Sequence, residues 1–500
     1  MSSVYTNPTS GKISSGFRPY YPSDPNQNYT WNQDTSQEQS EGLYRTTTLG
    51  KMMIDALTRY VIGKGLTPMA APETSILGWT PEQTDRFQKQ AEAYWRLVTG
   101  SVNFDYYGKD NFLGLQRIAF KNILIAGDTL RHNGYRRLRN GEIVPYVQVI
   151  SGRMVSQILE QDSKKSSGGV VIDKTTGREV GYKVRVIDDF LNDTYSCKFV
   201  RRYNKLGKLE FDLIQIDKSD PQLVRGIPLL TAVRDDVLDL DKFKANHLTQ
   251  SAVQALFTAF IEKEKDAEEG SASFMDKINS AGAETVDDDG ERRVDMGAGY
   301  VVELNPGEKV SMAERHADGD DYDAYLKANI GMAASALGMS YEVATNSFNA
   351  SFSASRAGLN SAEKNFAILR DEFCTKFNNP VWRMVIETGI LKGMIEAPGY
   401  EKGGLYKDAI FAVSWTGVTP PQVDPTKEVK AYVEAIDAGL ITREYATRQL
   451  YGLDYGEVHE RWMKEMEDMP QAEPQAQTEE KDGEDTDGTG NDGEEDNDNK

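Results

Sequence analysis

Five hundred residues with 39% apolar content, including 24 Tyr and 18 Phe, are enough for several ordinary domains and a sizeable buried core. The formal net charge of −21 excludes a protein that grips nucleic acid through its overall field. No window holds the roughly 18 uninterrupted apolar residues of a membrane span. The opening Met1-Ser2-Ser3-Val4-Tyr5-Thr6 lacks a basic-then-apolar signal pattern, and two distant cysteines, Cys197 and Cys374, make no disulfide framework, so a cytoplasmic compartment is expected.

Residues 1–42 are polar, with four prolines and no helical periodicity, and are expected to be a disordered N-terminal arm. Leu49, Met53, Ala56 and Tyr60 then recur at helical spacing before Gly63 and Gly65 end the pattern. Thr80-Pro81-Glu82-Gln83 supplies a cap, a proline at the first helical position and a capping-box partner for a helix to about Val98. A third helix carries Phe112, Leu115, Ala119, Ile123 and Ala126 and stops at Gly127.

The period then changes to two. Asn140-Gly141 joins Thr129–Leu138 to Ile143–Ile150 as a hairpin, and Thr175-Thr176-Gly177 joins Val170–Ile172 to Val180–Ile187. Alternation continues through Tyr195–Tyr203 and Leu209–Ile216. After Pro228, Leu230, Val233, Val237, Leu240 and Phe243 mark a long amphipathic helix with Asp235, Asp239 and Lys242 on its other face. Glu262–Glu291 is rich in Gly, Asp and Glu and interrupts the order before strands Arg293–Met296 and Tyr300–Leu304.

A helix with Leu326, Ile330, Ala333 and Leu337 on one face follows, and its many small residues include Ala324, Ala328, Gly331 and Ala334. Met339–Ala354 breaks periodicity, then a long helix runs from about Ser355 to Asn378 and is checked by Pro380. Pro425–Met469 reads as three short helices divided by Gly439 and Gly452, the last opened by an Asp454…Glu457 capping box. From Gln471 onward, twelve acidic residues face two lysines; this −10 segment, without an aromatic residue, is expected to be a disordered acidic tail. The fold class is therefore α+β, mainly helical.

Chemistry-bearing patterns are sparse. His132, His247, His316 and His459 are too dispersed for a metal spacing, and no phosphate-cradling loop precedes a Gly-Lys pair. The acidic runs at Asp287–Asp289 and Asp318–Asp321 lack the calcium-loop spacing, so neither a metal nor a cofactor is expected. Ser361-Ala362-Glu363-Lys364 matches the Ser-x-x-Lys of one acyl-enzyme class but lacks its companion boxes; an exposed helix face explains it. Arg136-Arg137-Leu138-Arg139 and Arg201-Arg202 are expected to pair with local acids across strands. No catalytic residue is assigned and an enzyme is not expected.

Six passages in sequence order resemble the lambda-type phage portal proteins. They are Tyr60-Val61-Ile62-Gly63-Lys64-Gly65-Leu66-Thr67-Pro68; Gly114-Leu115-Gln116-Arg117 through Ala126-Gly127-Asp128; Gln222-Leu223-Val224-Arg225-Gly226-Ile227-Pro228 leading to Leu230; Leu304-Asn305-Pro306-Gly307-Glu308; Ala336-Leu337-Gly338-Met339-Ser340-Tyr341-Glu342-Val343; and Ser353-Ala354-Ser355-Arg356-Ala357. Lys265–Gly290 and Asn192–Asp212 depart from that pattern.

The resemblance implies a portal fold: a wing at 43–229, a stem helix at 230–253, a clip at 254–313, a second stem helix at 318–338, and a channel loop at 339–354. A long helix and wing return follow at 355–424, then a helical crown at 425–469 and the tail at 470–500. It implies a homo-oligomeric ring, usually a dodecamer, at a capsid vertex of the virion, assembled in the host cytoplasm. Double-stranded DNA would pass through it. Expected partners are the terminase large subunit, the major capsid or scaffolding protein and head–tail adaptor proteins, with no membrane.

By the same resemblance Asn346, Ser347, Phe348, Asn349 and Ser351 would form the channel loop nearest DNA. Asp235, Asp239 and Lys242 would face the lumen or a neighbouring subunit, and Ala324, Ala328, Gly331 and Ala334 would pack the stem. An acidic conduit suits translocation, because a lumen that neutralised phosphates would release counterions and hold the duplex. Two other classes remain open: a serine/lysine hydrolase using Ser361 and Lys364, and a DNA-binding virion scaffold protein.

Overall fold

The computed structural model describes residues 33–155, 166–189 except 174, 194–257 except 217 and 219, 284–286, 292–294, 319–347, 352–417, 425–453 and 455–468. The chain divides into two units, Met1–Pro425 and Thr426–Lys500. The expected strand Tyr300–Leu304, most of the expected clip, and the acidic tail lie outside the described residues.

The first described elements of the larger unit are α1 (Gln33–Thr46) and α2 (Thr48–Val61), so 33–42 of the expected arm are helix, and its residues 1–32 lie outside the described residues. Periodicity missed α1 because its packed face is polar: Gln33, Ser36, Gln37 and Ser40 are buried, and Gln37 Nε2 donates to the Ala126 carbonyl at 2.7 Å. β1 (Thr67–Ala70) and a short α3 (Thr74–Leu77) lead to α4 (Pro81–Gly100), which has the expected capping box between Thr80 and Gln83. Phe87, Ala91, Trp95 and Thr99, four apart, form its buried stripe.

α5 (Phe112–Ala126) ends at Gly127, whose φ of 85° a side chain would strain. β2 (Asp128–Arg137) and β3 (Ile143–Ser151) make the Asn140-Gly141 hairpin, with Thr129 opposite Ser151 and Arg137 opposite Ile143. β4 (Ser166–Ser167), β5 (Val170–Ile172), β6 (Glu179–Asp189) and β7 (Thr194–Arg201) form a four-stranded antiparallel sheet in that order. β8 (Phe211–Gln215) joins β2 on the side away from β3.

A 3-10 turn at Leu229–Thr231 precedes α6 (Arg234–Phe257). β9 (Glu284–Val286) and β10 (Arg292–Val294) pair antiparallel, so a strand lies inside the stretch expected to lack order. α7 (Gly319–Ala336) follows, then α8 (Tyr341–Thr345), a helical turn where the sequence pattern suggested unbroken loop. Ser340 caps α8 by accepting from Val343 N–H at 3.4 Å.

α9 (Phe352–Phe373) does not stop before Pro380. It passes through a π turn, Cys374–Asn378, into α10 (Asn379–Leu391). Proline provides no N–H to the carbonyl four residues earlier, and a buried guanidinium replaces it: Arg131 Nη1 donates to Lys376 O at 2.9 Å and Phe377 O at 2.6 Å. Arg131 belongs to a polar chain reaching Asp212 (3.4 Å), Arg202 (2.9 Å from Asp212) and Glu179 (3.3 Å from Arg202). Burial pushes the Glu179 carboxyl above its ordinary range against the pull of Tyr182 and Arg202.

α11 (Gly404–Ile410) and β11 (Val413–Thr416) complete this unit, and β11 returns to pair with β1, Thr67 opposite Thr416. One core runs through α2, α4, α5, α6, α7, α9 and α10, with the Trp95 ring edge-on or tilted against Phe112, Trp382 and Trp415, centroids within 5.7 Å. A smaller core of Leu130, Val155, Val170, Tyr182, Val184, Leu213 and Val224 lies between the sheets. Among the described residues, the second unit carries α12 (Pro425–Asp437, which starts at the last residue of the larger unit), α13 (Arg443–Tyr451) and α14 (Tyr455–Asp468), with Gly439 and Gly452 at positive φ between them.

Candidate functional site

The passages singled out in the sequence meet each other in space. Arg225 and Asp128 form a fully buried two-point ion pair, Nε to Oδ2 at 2.6 Å and Nη2 to Oδ1 at 2.9 Å. The same guanidinium donates to the carbonyls of Val155, Gly168 and Gly152, and Gly226 N–H donates to Asp128 Oδ2 at 3.0 Å. Every donor of the fork finds an acceptor, which is what a charge this deep requires.

Glycine makes the approach possible. A Cβ on Gly226 would sit 1.8 Å from Gly127 O, and one on Gly152 would sit 2.0 Å from Asp128 Oδ1. The Arg-Gly of one passage therefore locks onto the Gly-Asp of another, tying the end of α5 and the start of β2 to the segment that launches α6.

Two further clasps have the same character. Gln116 accepts from Leu66 N–H at 2.6 Å and returns a bond to Leu66 O at 2.9 Å, satisfying the backbone after α2. Arg370 on α9 donates to Tyr60 O at 2.8 Å and Val61 O at 3.0 Å, the open carbonyls at the end of α2. Asn365 donates to Gly338 O at 3.3 Å, where φ is 72°. These residues hold the backbone.

Leu230 and Val233 just before α6 and Val237 and Leu240 on it are buried as the spacing required, while Asp235 and Asp239 keep 77% and 66% of their side chains exposed. Each acid has a neighbour: Arg234 lies 2.8 Å from Asp235, and Lys242 lies 3.0 Å from Asp239. Phe243 stacks on Tyr322 of α7 at 5.6 Å and meets Tyr325 at a tilt, 4.1 Å away, and His247 meets Tyr322 at a tilt, 4.2 Å away, so the two long helices pair through an aromatic seam. Ala324 and Ala328 are exposed and a Cβ on Gly331 would meet nothing within 4 Å, leaving that face open. Ala334 is different: it is buried in the chain's own core.

The expected channel loop is described at 339–347 and again at 352–354, which are already the first turn of α9 rather than loop; Phe348, Asn349 and Ser351 lie outside the described residues. Asn346 is exposed at the end of α8 with φ 54°, the left-handed position that asparagine tolerates best after glycine. It lines a cleft of about 430 Å³ with Arg45, Lys51 and Arg59. An adjoining cleft of about 490 Å³ shares Arg59 and adds Arg117 and Lys121. This basic shelf was missed in the sequence because its cations are spread singly over α1, α2 and α5. Asp55 anchors it: Lys121 lies 2.7 Å away, and although burial pushes the Asp55 carboxyl up, the two lysines hold it below its ordinary range.

Ser361 and Lys364 sit exposed on α9 with no hydrogen bond between them. No group of three or more His, Cys, Asp or Glu among the described residues is placed to hold a metal, and no described helix is long and apolar enough to cross a membrane. His132 stacks on Phe211 at 4.1 Å, and burial lowers its basicity. Arg202 pairs with acids as expected, but Arg136 does not: it donates to Asp105 O at 2.6 Å and lies over the Tyr146 ring at 4.9 Å. The aromatic neighbours Tyr106 and Tyr146 took the place of the expected carboxylate.

Buried clasps thus tie the passages singled out in the sequence to the ends of the long helices. Residues 10–370 match the family model of the phage portal proteins, lambda family. The chain belongs to that family. It is 23% identical over 440 residues to Portal protein B of Escherichia phage lambda, covering 81% of this chain and 78% of the relative. It is also 23% identical over 447 residues to the Portal protein of Escherichia phage N15, covering 81% and 79%.

Proposed function

We propose that the chain assembles into a ring at one capsid vertex, a conduit for double-stranded DNA during packaging and ejection. The family match over residues 10–370 carries this reading. In it, α6 and α7 are the stem, with Asp235, Asp239 and Lys242 on the lumen or the subunit boundary, and the exposed Ala324, Ala328 and Gly331 face lets a neighbouring subunit approach closely. Asn346 begins the channel loop, the region of β9 and β10 belongs to the clip, and residues 425–468 form the crown. The partners are the terminase large subunit, head–tail adaptor proteins and the capsid or scaffolding protein.

Asp235 and Asp239 each sit beside a cation, Arg234 and Lys242, while Asp236 is exposed on the same helix, so this surface offers a passing duplex no excess positive charge, which favours sliding over capture. Packaging tests the role. Capsids assembled with the chain should protect genome from nuclease when terminase and ATP are added, and capsids assembled without it should protect none. Equal protection in both would remove the conduit assignment.

A further inference from the structure

We infer that the basic shelf across α1, α2 and α5 is a phosphodiester-binding site that takes about three phosphates of a nucleic-acid strand; this rests on the reading above that the chain meets duplex DNA. The two clefts that form the shelf share Asp55 and Arg59 and so make one continuous groove. Arg45, Lys51, Arg59, Arg117 and Lys121 line it against Asp55 and Asp110, a surplus of three positive charges on a chain whose net charge is −21. Glu41, just outside, is shared by Arg45 and Arg153 and leaves that surplus in place.

The charges stand in rows. Lys51, Asp55 and Arg59 follow at every fourth residue of α2, and Arg117 and Lys121 do the same on α5, whose Lys121 reaches Asp55 at 2.7 Å. The α2 row covers about 12 Å, a length over which one strand of a duplex carries about three phosphates. Asp55 is occupied by Lys51 and Lys121, whereas Arg59 and Arg117 are exposed and form no ion pair or hydrogen bond among the described residues. Two open guanidinium forks match phosphate oxygens in a two-point geometry that lysine cannot give. Thr47 already caps α2, so the cations rather than the helix end make the site. An acidic peptide offers the same sign of charge, but Asn346, a residue of the expected channel loop, forms one wall of the groove and favours the nucleic acid.

Fluorescence anisotropy of a labelled duplex of about 20 base pairs with the purified full-length chain tests the site. With about three phosphates neutralised, log K should fall against log salt with a slope near −2.7, so raising salt from about 50 to about 200 mM weakens binding about 40-fold. The double variant Arg59→Ala, Arg117→Ala should bind more weakly at the lower salt and lose only about 3- to 4-fold over the same range, with unchanged tryptophan-reported unfolding. Lys205→Ala with Lys402→Ala removes as much charge from exposed lysines that line neither cleft, and should keep the parent's slope. Equal losses in the two double variants, or no duplex binding by the parent at about 50 mM salt, would overturn the site. So would displacement of the duplex by inorganic phosphate or polyglutamate at a lower concentration than unlabelled duplex, which would assign the groove to a free anion or an acidic protein segment. The nuclease-protection assay keeps the two readings apart. Protected genome without binding that depends on Arg59 and Arg117 removes the shelf alone, and such binding without protection removes the conduit alone.

Discussion

Arg225→Ala removes the guanidinium that satisfies Asp128 and three backbone carbonyls, and leaves the fully buried carboxyl without its ionic partner, held only by the Gly226 N–H. Breaking a buried pair from one side costs about 3–5 kcal/mol, because the surviving charge keeps its desolvation penalty. With a urea m-value of about 3 kcal/mol/M, the midpoint should fall by about 1 M or more. Unfolding is best followed by tryptophan fluorescence, since Trp79, Trp95 and Trp382 are buried in the larger unit. Lys242→Ala is the control: it deletes a partner from the exposed Asp239 pair and should cost less than about 1 kcal/mol. Arg225→Lys keeps the charge but not the fork, and should fall between. Equal losses for Arg225→Ala and Lys242→Ala would refute the claim that the clasp organises this unit.

Gly226→Ala should give little soluble protein, because its Cβ meets backbone 1.8 Å away. Gly331→Ala, with open space around it, should leave subunit stability level or raise it by up to about 1 kcal/mol; weaker assembly in that variant would locate the neighbour's approach. Glu387 is half-buried. Burial raises its pKa, but bonds from Lys208 at 2.8 Å and Tyr400 at 2.8 Å outweigh it and hold the carboxyl below its ordinary range. A depressed carboxyl stabilises the fold above its unfolded pKa and loses that contribution as pH falls through the folded value. Stability should therefore drop below about pH 4.3 in the parent, and more shallowly in Glu387→Gln, as acid titration by circular dichroism would show. Cys374 is buried, with its thiol pushed up to about 12; a maleimide should label Cys197 first and reach Cys374 only on unfolding. Equal labelling of the two in the native state would contradict the packing around the π turn.

Much of the larger unit was legible because its signals are local. The Thr80–Gln83 box, the Asn140-Gly141 turn and the Gly127 stop each depend on residues within a few positions, and each lies where the spacing put it. The apolar face of α6 was equally readable. What failed depends on distant partners. α1 hides its packed face behind serines and glutamines whose acceptor, Ala126 O, is 89 residues away. Pro380 sits in the first turn of α10, and the Lys376 carbonyl it cannot serve is reached by Arg131, 245 residues before Lys376. The turn of α8 is too short for periodicity to register.

The candidate site divides the same way. Asp235, Asp239 and Lys242 were identifiable as an exposed charged face, whereas their pairing with Arg234 and within the face needed coordinates. Arg45, Arg59 and Arg117 converge from three helices and leave no spacing signature. The resemblance passages were visible as words, but their physical reason emerged only when Arg225 met Asp128, Gln116 met Leu66, and Arg370 met Tyr60.

The most direct test is the mass of the purified full-length chain by light scattering coupled to gel filtration. The account predicts a particle of roughly twelve 55.8 kDa subunits with cyclic symmetry and an axial opening in averaged images. A monomer or dimer at every protein concentration and ionic strength would contradict it.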